Sequence, residues 1–246
     1  MERGLVFFPE KNIYTDPGQY GLSYEDIYFS TSDGVTLNGW YVKGEGKKVL
    51  LWFHGNGGNI ADRVENILFL IKTVGISLFI IDYREYGRSE GKVSKAGTFL
   101  DAEAAYRYLI ENRRIPPKDI ILFGRSLGSA LAVYVAKSFD AGGVIIESAF
   151  TSSDDVAKVY YPFLRHLLKT SASYRTLELI TVLILPKLII HGEKDEIIPL
   201  WMGEKLYEKA AEPKEFYLIK GAHHNDTYIV GGHQYYNKIK EFIYNN

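Results

Sequence analysis

The first part of the chain alternates polar and apolar positions in a way that is typical of strands. The segment 25–42, EDIYFSTSDGVTLNGWYV, holds two β-rich runs on either side of Asp33-Gly34. This dipeptide favours a tight hairpin turn because both residues tolerate a left-handed backbone. We therefore predict that the fold begins with two antiparallel strands.

From Lys48 onward the pattern changes to short apolar runs separated by longer segments with helical spacing. The apolar runs, most of which end at a glycine or at a small or polar residue, are KKVLLWF, ISLFIID, DIILFG, GGVIIES, PKLIIHG and EFYLIKG. The helical segments include DRVENILFLIKTV, SKAGTFLDAEAAYRYLIENRR and WMGEKLYEKA. Such alternation predicts an α/β fold with a mostly parallel, doubly wound sheet.

One segment does not follow the alternation. Residues 151–181 contain DDVAKVYYPFLRHLLKT, which has the spacing of one or two amphipathic helices and predicts a small helical cap inserted between strands. The sequence shows no repeat and no linker, and 246 residues suffice for one sizeable core. We therefore expect residues 1–246 to form a single domain.

The composition excludes several classes of partner. Lysine and arginine total 29 against 30 aspartates and glutamates, so the net charge of -1 provides no general attraction to nucleic acid. The 0 cysteines exclude disulfides, thiolate zinc sites and a cysteine nucleophile. The 6 histidines form no H-E-x-x-H motif, and we expect no metal. The apolar run that ends at Pro9 is too short for a signal peptide or a membrane-spanning helix, so a cytoplasmic location is expected.

The turn after DIILF carries the first candidate for chemistry. Ligand sites of such sheets lie beyond the carboxyl ends of the strands, and here the sequence reads GRSLG, residues 124–128, before a helix-like segment. This is the G-x-S-x-G nucleophile elbow in its strand-turn-helix context, with Ser126 as the nucleophile. The alternative is a glycine-rich turn in which the Ser126 hydroxyl caps the following helix.

Candidates for the acid and the base follow the last two strands. The loop HGEKDEIIP contains Asp195 between Glu193 and Glu196, and KGAHHND contains the adjacent His223 and His224. The chain order of serine, acid and histidine is the order of an α/β-hydrolase triad. A serine needs a base to accept its proton and an acid to orient that base, so the three loops together predict a triad.

The glycine-rich loop in LLWFHGNGGN is a candidate oxyanion hole. We expect the backbone N–H groups of Asn56 and Leu127 to be the donors. The competing interpretation, a phosphate cradle, is disfavoured because the loop lacks the last glycine of G-x-G-x-x-G. No cofactor is therefore expected. His54 and His191 each precede a glycine at a strand end, and we interpret both as residues that shape loops.

Six motifs taken in order resemble the α/β-hydrolase superfamily, and more narrowly the subgroup of bud-emergence-type proteins and vertebrate α/β-hydrolase-domain proteins. The motifs are HGNGGN, DYREYGRSEGK, FGRSLGSA, ESAFTS, HGEKDEIIP and HHNDTY. Members of this subgroup often carry a membrane-spanning segment before the FFP motif. Membrane association is thus expected only if such an anchor is missing from this sequence.

The resemblance also selects among the candidate residues. It implies that Asp195 is the acid, with Glu193 and Glu196 as flanking charges, and that His224, directly before Asn-Asp, is the base. We interpret His223 as a surface neighbour; the alternative is a residue of the pocket wall, or a base that substitutes for His224 in a mutant. Glu85 stands where the family commonly has glycine, and we expect a solvent-facing charge there; the alternative is a carboxylate that shapes the entrance to the site.

These observations predict a serine hydrolase that cleaves a small-molecule carboxylic ester or thioester through an acyl-enzyme on Ser126. The cap segment offers Tyr160, Tyr161, Phe163 and Leu164 as the apolar wall of a shallow pocket, which suits short to medium acyl chains. The enzyme alternatives are a long-chain acyl-protein thioesterase and a peptidase or amidase. The alternative from another class is a catalytically idle binding protein on the hydrolase scaffold.

Overall fold

The computed structural model describes residues 6–161 and 174–245 and contains one sheet of eight strands and a second sheet of two. The strands, in chain order, are β1 Phe8–Pro9, β2 Tyr24–Ser30, β3 Thr36–Val42, β4 Val49–Phe53, β5 Gly57–Gly58, β6 Ser77–Ile81, β7 Ile120–Arg125, β8 Gly143–Glu147, β9 Lys187–Gly192 and β10 Lys214–Ile219. The large sheet has the order β10-β9-β8-β7-β4-β6-β3-β2, and β1 pairs with β5.

The predicted antiparallel start and parallel remainder are confirmed. Strand β2 runs antiparallel to β3, and β3 runs antiparallel to β6, whereas the strands from β6 through β4 to β10 are parallel. The turn between β2 and β3 places Gly34 at a φ of 82°, in the left-handed region that this residue adopts without strain.

The helices lie between the strands, as the alternation predicts. They are α1 Val64–Phe69, α2 Lys95–Glu111, α3 Leu127–Ser138, α4 Ser153–Tyr160, α5 Thr176–Ile180, α6 Leu200–Lys209 and α7 Thr227–Asn245. Short 3-10 segments cover Pro17–Tyr20, Ile60–Arg63 and Pro117–Asp119, and a π-helical turn covers Leu70–Val74. Helix α7 is kinked at Gly232, whose φ of 49° and ψ of -137° are not helical.

The core has two layers because both faces of the central strands are covered. Successive residues of β4 alternate between them: Leu51 and Phe53 belong to the layer that includes residues of α2, α3, α5 and α6. Leu50 and Trp52 belong to the layer with α1 and α7. A strand buried on both faces is apolar throughout, which explains the run VLLWF. Each such side chain contributes about 1.5–3 kcal/mol by leaving water.

The carboxyl ends of β4, β7, β9 and β10 share one edge of the sheet, so the loops that follow these strands meet there. The segment 151–181 lies between β8 and β9 in the chain. Its described parts form α4 and α5, and the part of the predicted cap at 162–173 lies outside the described residues. Across the described ranges, no helix combines the length and the apolarity needed to cross a membrane.

Candidate active site

The turn between β7 and α3 presents Ser126 in a strained conformation. Its φ of 52° and ψ of -117° lie outside the regions that a residue with a side chain normally adopts. A Cβ on Gly124 would collide with the carbonyl of Gly128, and a Cβ on Gly128 would collide with the carbonyl of Phe53. Only glycine fits at both positions, and the tight turn results. The alternative in which the Ser126 hydroxyl caps α3 is wrong, because the side chain makes no capping hydrogen bond.

The imidazole of His224 faces the carboxylate of Asp195. Its Nδ1 atom lies 2.8 Å from Oδ2 and 3.0 Å from Oδ1 of Asp195. An ionised carboxylate only accepts, so Nδ1 carries the proton and Nε2 is the free acceptor. Asp195 also accepts the N–H groups of Ile197 at 3.0 Å and Ile198 at 2.7 Å, which fixes the carboxylate.

The environment of Asp195 favours its charged form. Burial, the largest influence, raises the pKa of Asp195. The hydrogen bond from His224, the charge that this ring carries when it is protonated, and the N–H of Ile198 together outweigh burial, so the pKa is lowered. The same loop is braced by His191, whose Nε2 donates to the carbonyl of Ile198 at 2.8 Å. Asp195 therefore faces the ring of His224 as an ionised carboxylate held in place by its own loop.

The other two carboxylates of this loop do not reach the ring of His224. Glu193 accepts the N–H of Gly221 at 2.8 Å. Glu196 lies 3.1 Å from Nδ1 of His223 and accepts the backbone N–H of His224 at 3.3 Å. The side chain of His223 is 54% exposed, so it lies at the surface while that of His224 is buried.

The loop after β4 lies against Ser126, since a Cβ on Gly55 would be 3.6 Å from the Cβ of Ser126. His54 shapes this loop: its Nδ1 lies 2.6 Å from the carbonyl oxygen of Gly55, in the peptide that carries the Asn56 N–H. In the part of the chain that the structure describes, the N–H groups of Asn56 and Leu127 have no acceptor. Both therefore remain candidate donors to a bound oxyanion.

Sequence reasoning missed a clamp that holds this loop from the N-terminal side. Strand β1 pairs with β5, and the N–H of Phe8 donates to the carbonyl of Asn56 at 3.0 Å. The Asn56 side chain donates to the carbonyl of Val6 at 2.9 Å, and the Tyr86 hydroxyl donates to the Asn56 carbonyl at 2.7 Å. The FFP motif alone gave no sign of this pairing, because its partner lies some fifty residues away in the sequence.

The predicted pocket residues are described only in part. The hydroxyl of Tyr160 donates to the carbonyl of Ile197 at 3.0 Å, which places the end of α4 beside the acid loop. Tyr160 and Tyr161 are 49% and 47% exposed. Phe163, like Leu164, lies outside the described residues.

The expectation that Glu85 is a solvent-facing charge is wrong. Its side chain is half-buried, and Oε2 accepts the N–H of Val93 at 2.8 Å, so the carboxylate braces its own loop. Its φ of 74° is a value that favours glycine. Over residues 6–161 and 174–245, no group of three or more histidine, aspartate or glutamate side chains could hold a metal ion.

Solved structures share this architecture. The Pyrococcus furiosus esterase Pf2001 superposes with a TM-score of 0.82 at 20% identity, covering 96% of this chain and 98% of its own. An α/β hydrolase from Vibrio vulnificus gives a TM-score of 0.75 at 21% identity, covering 92% and 82%. At such identities the likeness concerns the fold, which is the α/β-hydrolase fold.

Curated relatives are more similar in sequence, although no family model matches the chain. The α/β hydrolase domain-containing protein WAV2 of Arabidopsis thaliana is 32% identical, over 97% of this chain and 88% of its own. The protein bem46 of Schizosaccharomyces pombe is 31% identical, over 100% of this chain and 86% of its own. The chain therefore belongs to the α/β-hydrolase family that includes WAV2 and bem46, which confirms the resemblance.

Proposed function

We propose that this protein is a serine hydrolase that cleaves small carboxylic esters or thioesters through an acyl-enzyme on Ser126. The observation that carries the proposal is the buried Asp195–His224 pair, whose Oδ2 and Nδ1 atoms lie 2.8 Å apart. The carbonyl of His224 accepts a hydrogen bond from Arg125, the residue directly before the strained Ser126. The fold of the Pf2001 esterase supports an acyl-transfer reaction by analogy only.

The first half of the reaction forms the acyl-enzyme. The Ser126 hydroxyl attacks the carbonyl carbon while Nε2 of His224 takes its proton, and Asp195 stabilises the imidazolium through Nδ1. The carbonyl oxygen becomes an oxyanion that accepts the N–H groups of Asn56 and Leu127. When the tetrahedral intermediate collapses, the bond to the leaving alcohol or thiol breaks and His224 returns the proton to it.

The second half repeats these steps with water. His224 takes a proton from a water molecule that attacks the acyl carbon, and the bond to Ser126 breaks as His224 returns the proton to the serine oxygen. The carboxylic acid leaves and the enzyme is regenerated. The same groups could serve an amide or a long-chain thioester, so the pocket rather than the triad selects the substrate. We propose short to medium acyl chains because Tyr160, at the end of α4, lies beside the loop of Asp195 and could contact a bound acyl group.

A fluorophosphonate probe tests the proposal, because it phosphonylates only an activated serine. Wild-type protein should be labelled stoichiometrically and should hydrolyse p-nitrophenyl butyrate. Ser126→Ala should lose both properties, whereas Ser138→Ala, the same change at the exposed far end of α3, should keep both. Folded wild-type protein that is neither labelled nor active would instead support the idle binding protein.

A further inference from the structure

A buried ion pair that the proposed mechanism does not use lies beside the nucleophile. Arg125 is the last residue of β7, directly before Ser126, and Glu147 is the last residue of β8. Nε of Arg125 lies 3.2 Å from Oε1 of Glu147, and the two side chains are 8% and 0% exposed. Taking two charges out of water is costly, and apolar residues of similar volume often stabilise a core more. Stability alone is therefore a poor explanation for this pair.

The free end of the arginine reaches the loop of the candidate base. Its Nη2 donates to the carbonyl oxygen of His224, and also to Oδ1 of Asn225 at 3.1 Å. The guanidinium thus connects the residue before the nucleophile to the residue that would accept the nucleophile's proton. These contacts also give a physical reason for the asparagine that follows His224.

Glu147 holds the guanidinium and the start of α7 together. Its Oε1 accepts the hydroxyl of Thr227, and its Oε2 accepts the hydroxyl of Tyr235. The carbonyl of Glu147 in turn accepts the N–H of Ser126 at 2.9 Å. The backbone of the nucleophile and the helix after the base loop are therefore both fixed to one residue.

We propose that Arg125 is a positioning residue for the triad: with Glu147 as its anchor, its guanidinium sets the position of His224 relative to Ser126. This inference rests on the proposed function. Arginine suits the role because its planar fork donates in several fixed directions at once, whereas the ammonium of lysine is a single point charge. A shift of the imidazole by about 1 Å costs about 100-fold in rate, so a loop held in this way has a large effect on turnover.

Two variants test the role. Arg125→Lys keeps a cation beside Glu147 but loses the fork. The double variant Arg125→Met/Glu147→Gln removes both charges, and the glutamine amide can still bind both hydroxyls of Thr227 and Tyr235, accepting from one through its oxygen and donating to the other through its NH2 group. We expect kcat for p-nitrophenyl butyrate to fall about 100-fold in both, with KM changed by less than about threefold, because substrate contacts remain. The rate of fluorophosphonate labelling should fall with kcat.

A matched control and a rescue separate positioning from a general effect on folding. Arg113→Met removes a different arginine–glutamate pair, in which both terminal nitrogens of Arg113 bind Glu25, and should leave kcat unchanged. Guanidinium at a non-denaturing concentration should restore part of kcat in Arg125→Ala but none in Ser126→Ala. A merely structural role would not respond to the added cation.

The results that overturn the inference differ from those that overturn the proposed function. The inference is wrong if the Arg125→Lys variant or the double variant folds and keeps kcat within about threefold of wild type. It is also wrong if only KM is raised, because Arg125 then does not position the triad. If neither variant folds, Asn225→Ala tests the inference instead. This change removes an acceptor of the Arg125 guanidinium, and because the Asn225 side chain is exposed, the variant should fold. An unchanged kcat in that variant contradicts the inference. Inactive, unlabelled wild-type protein contradicts the proposed function itself.

Discussion

Nδ1 of His224 lies 2.8 Å from Oδ2 of Asp195, whereas the ring of the adjacent His223 lies 3.1 Å from Glu196 at the surface. Neighbouring residues project in different directions, so only one of the two imidazoles can complete the triad. We expect His224→Ala to lower kcat by about 10⁴-fold or more, because no base then accepts the serine proton. His223→Ala should stay within about threefold, since an exposed ion pair contributes little.

Steady-state rates with p-nitrophenyl butyrate, accompanied by thermal melts, measure both variants. Equal losses of kcat, or a greater loss at His223, would show that His224 is not the base.

The three carboxylates of the acid loop should differ as sharply as the two histidines. Asp195→Asn should lower kcat by about 10⁴-fold, because the amide can hold the imidazole in the wrong tautomer. Glu193→Gln serves as the matched control, since its side chain accepts only the N–H of Gly221 within the described residues, and its kcat should be unchanged. A severe loss at Glu193 with a mild one at Asp195 would move the triad to the other carboxylate.

The Tyr86 hydroxyl supports the loop that carries the candidate oxyanion donor, through the carbonyl of Asn56 at 2.7 Å. We expect Tyr86→Phe to lower kcat about tenfold with little change in KM, a smaller effect than the 10²–10³ of removing a donor itself. Tyr83→Phe is the control. The buried hydroxyl of Tyr83 also donates to a backbone carbonyl at 2.7 Å, but this carbonyl belongs to His54, two residues before Asn56. Urea titrations should show similar losses of stability in both variants. A larger loss of kcat in the control would refute the assignment.

A series of esters that differ in acyl-chain length tests the proposed size of the pocket. Each methylene that finds apolar contact adds about 1 kcal/mol until the pocket is full, so kcat/KM should rise over the first carbons and then fall. We expect p-nitrophenyl esters of about two to six acyl carbons to react faster than those of twelve or more. The series is measured below the micelle concentration. Rates still climbing at the longest soluble chains would favour a long-chain thioesterase.

The buried Lys187 should make the stability of the fold rise with pH. It is fully buried, its ammonium donates to the carbonyls of Ala211 at 2.7 Å and Pro213 at 3.1 Å, and burial lowers its pKa from 10.5 to about 8. Between these values the unfolded chain binds a proton that the folded chain does not, so the contribution of Lys187 to the free energy of unfolding rises with pH.

Urea unfolding of wild type and Lys187→Met between pH 7 and pH 10 measures that contribution as a difference between the two proteins. The wild type should gain stability relative to the variant as the pH rises through this window. A difference that stays constant would show that the lysine titrates alike in both states.

Much of the fold could be predicted because its strands and its tight turns are marked by short stretches of contiguous sequence. Apolar runs marked the strands of the large sheet, and Gly124 and Gly128 marked the elbow at which only glycine fits. The clamp of Phe8 on Asn56 and the pair of Arg125 with Glu147 could not be predicted, because each joins residues far apart in sequence that have no shared pattern. The expectation for Glu85 was wrong although its partner Val93 lies on the same loop, because the contact between them forms only when that loop folds.

The pairing of β1 with β5 has a practical consequence for handling the protein. An affinity tag joined directly to Val6 would emerge beside the loop that carries the candidate oxyanion donor Asn56, where a folded tag or a solid support would crowd the candidate site. The end of α7 lies at the opposite end of the sheet, because the carbonyl of Ile243 accepts the ammonium of Lys48, one residue before β4 begins. A tether at that end would leave the candidate active site open on a bead or a sensor chip.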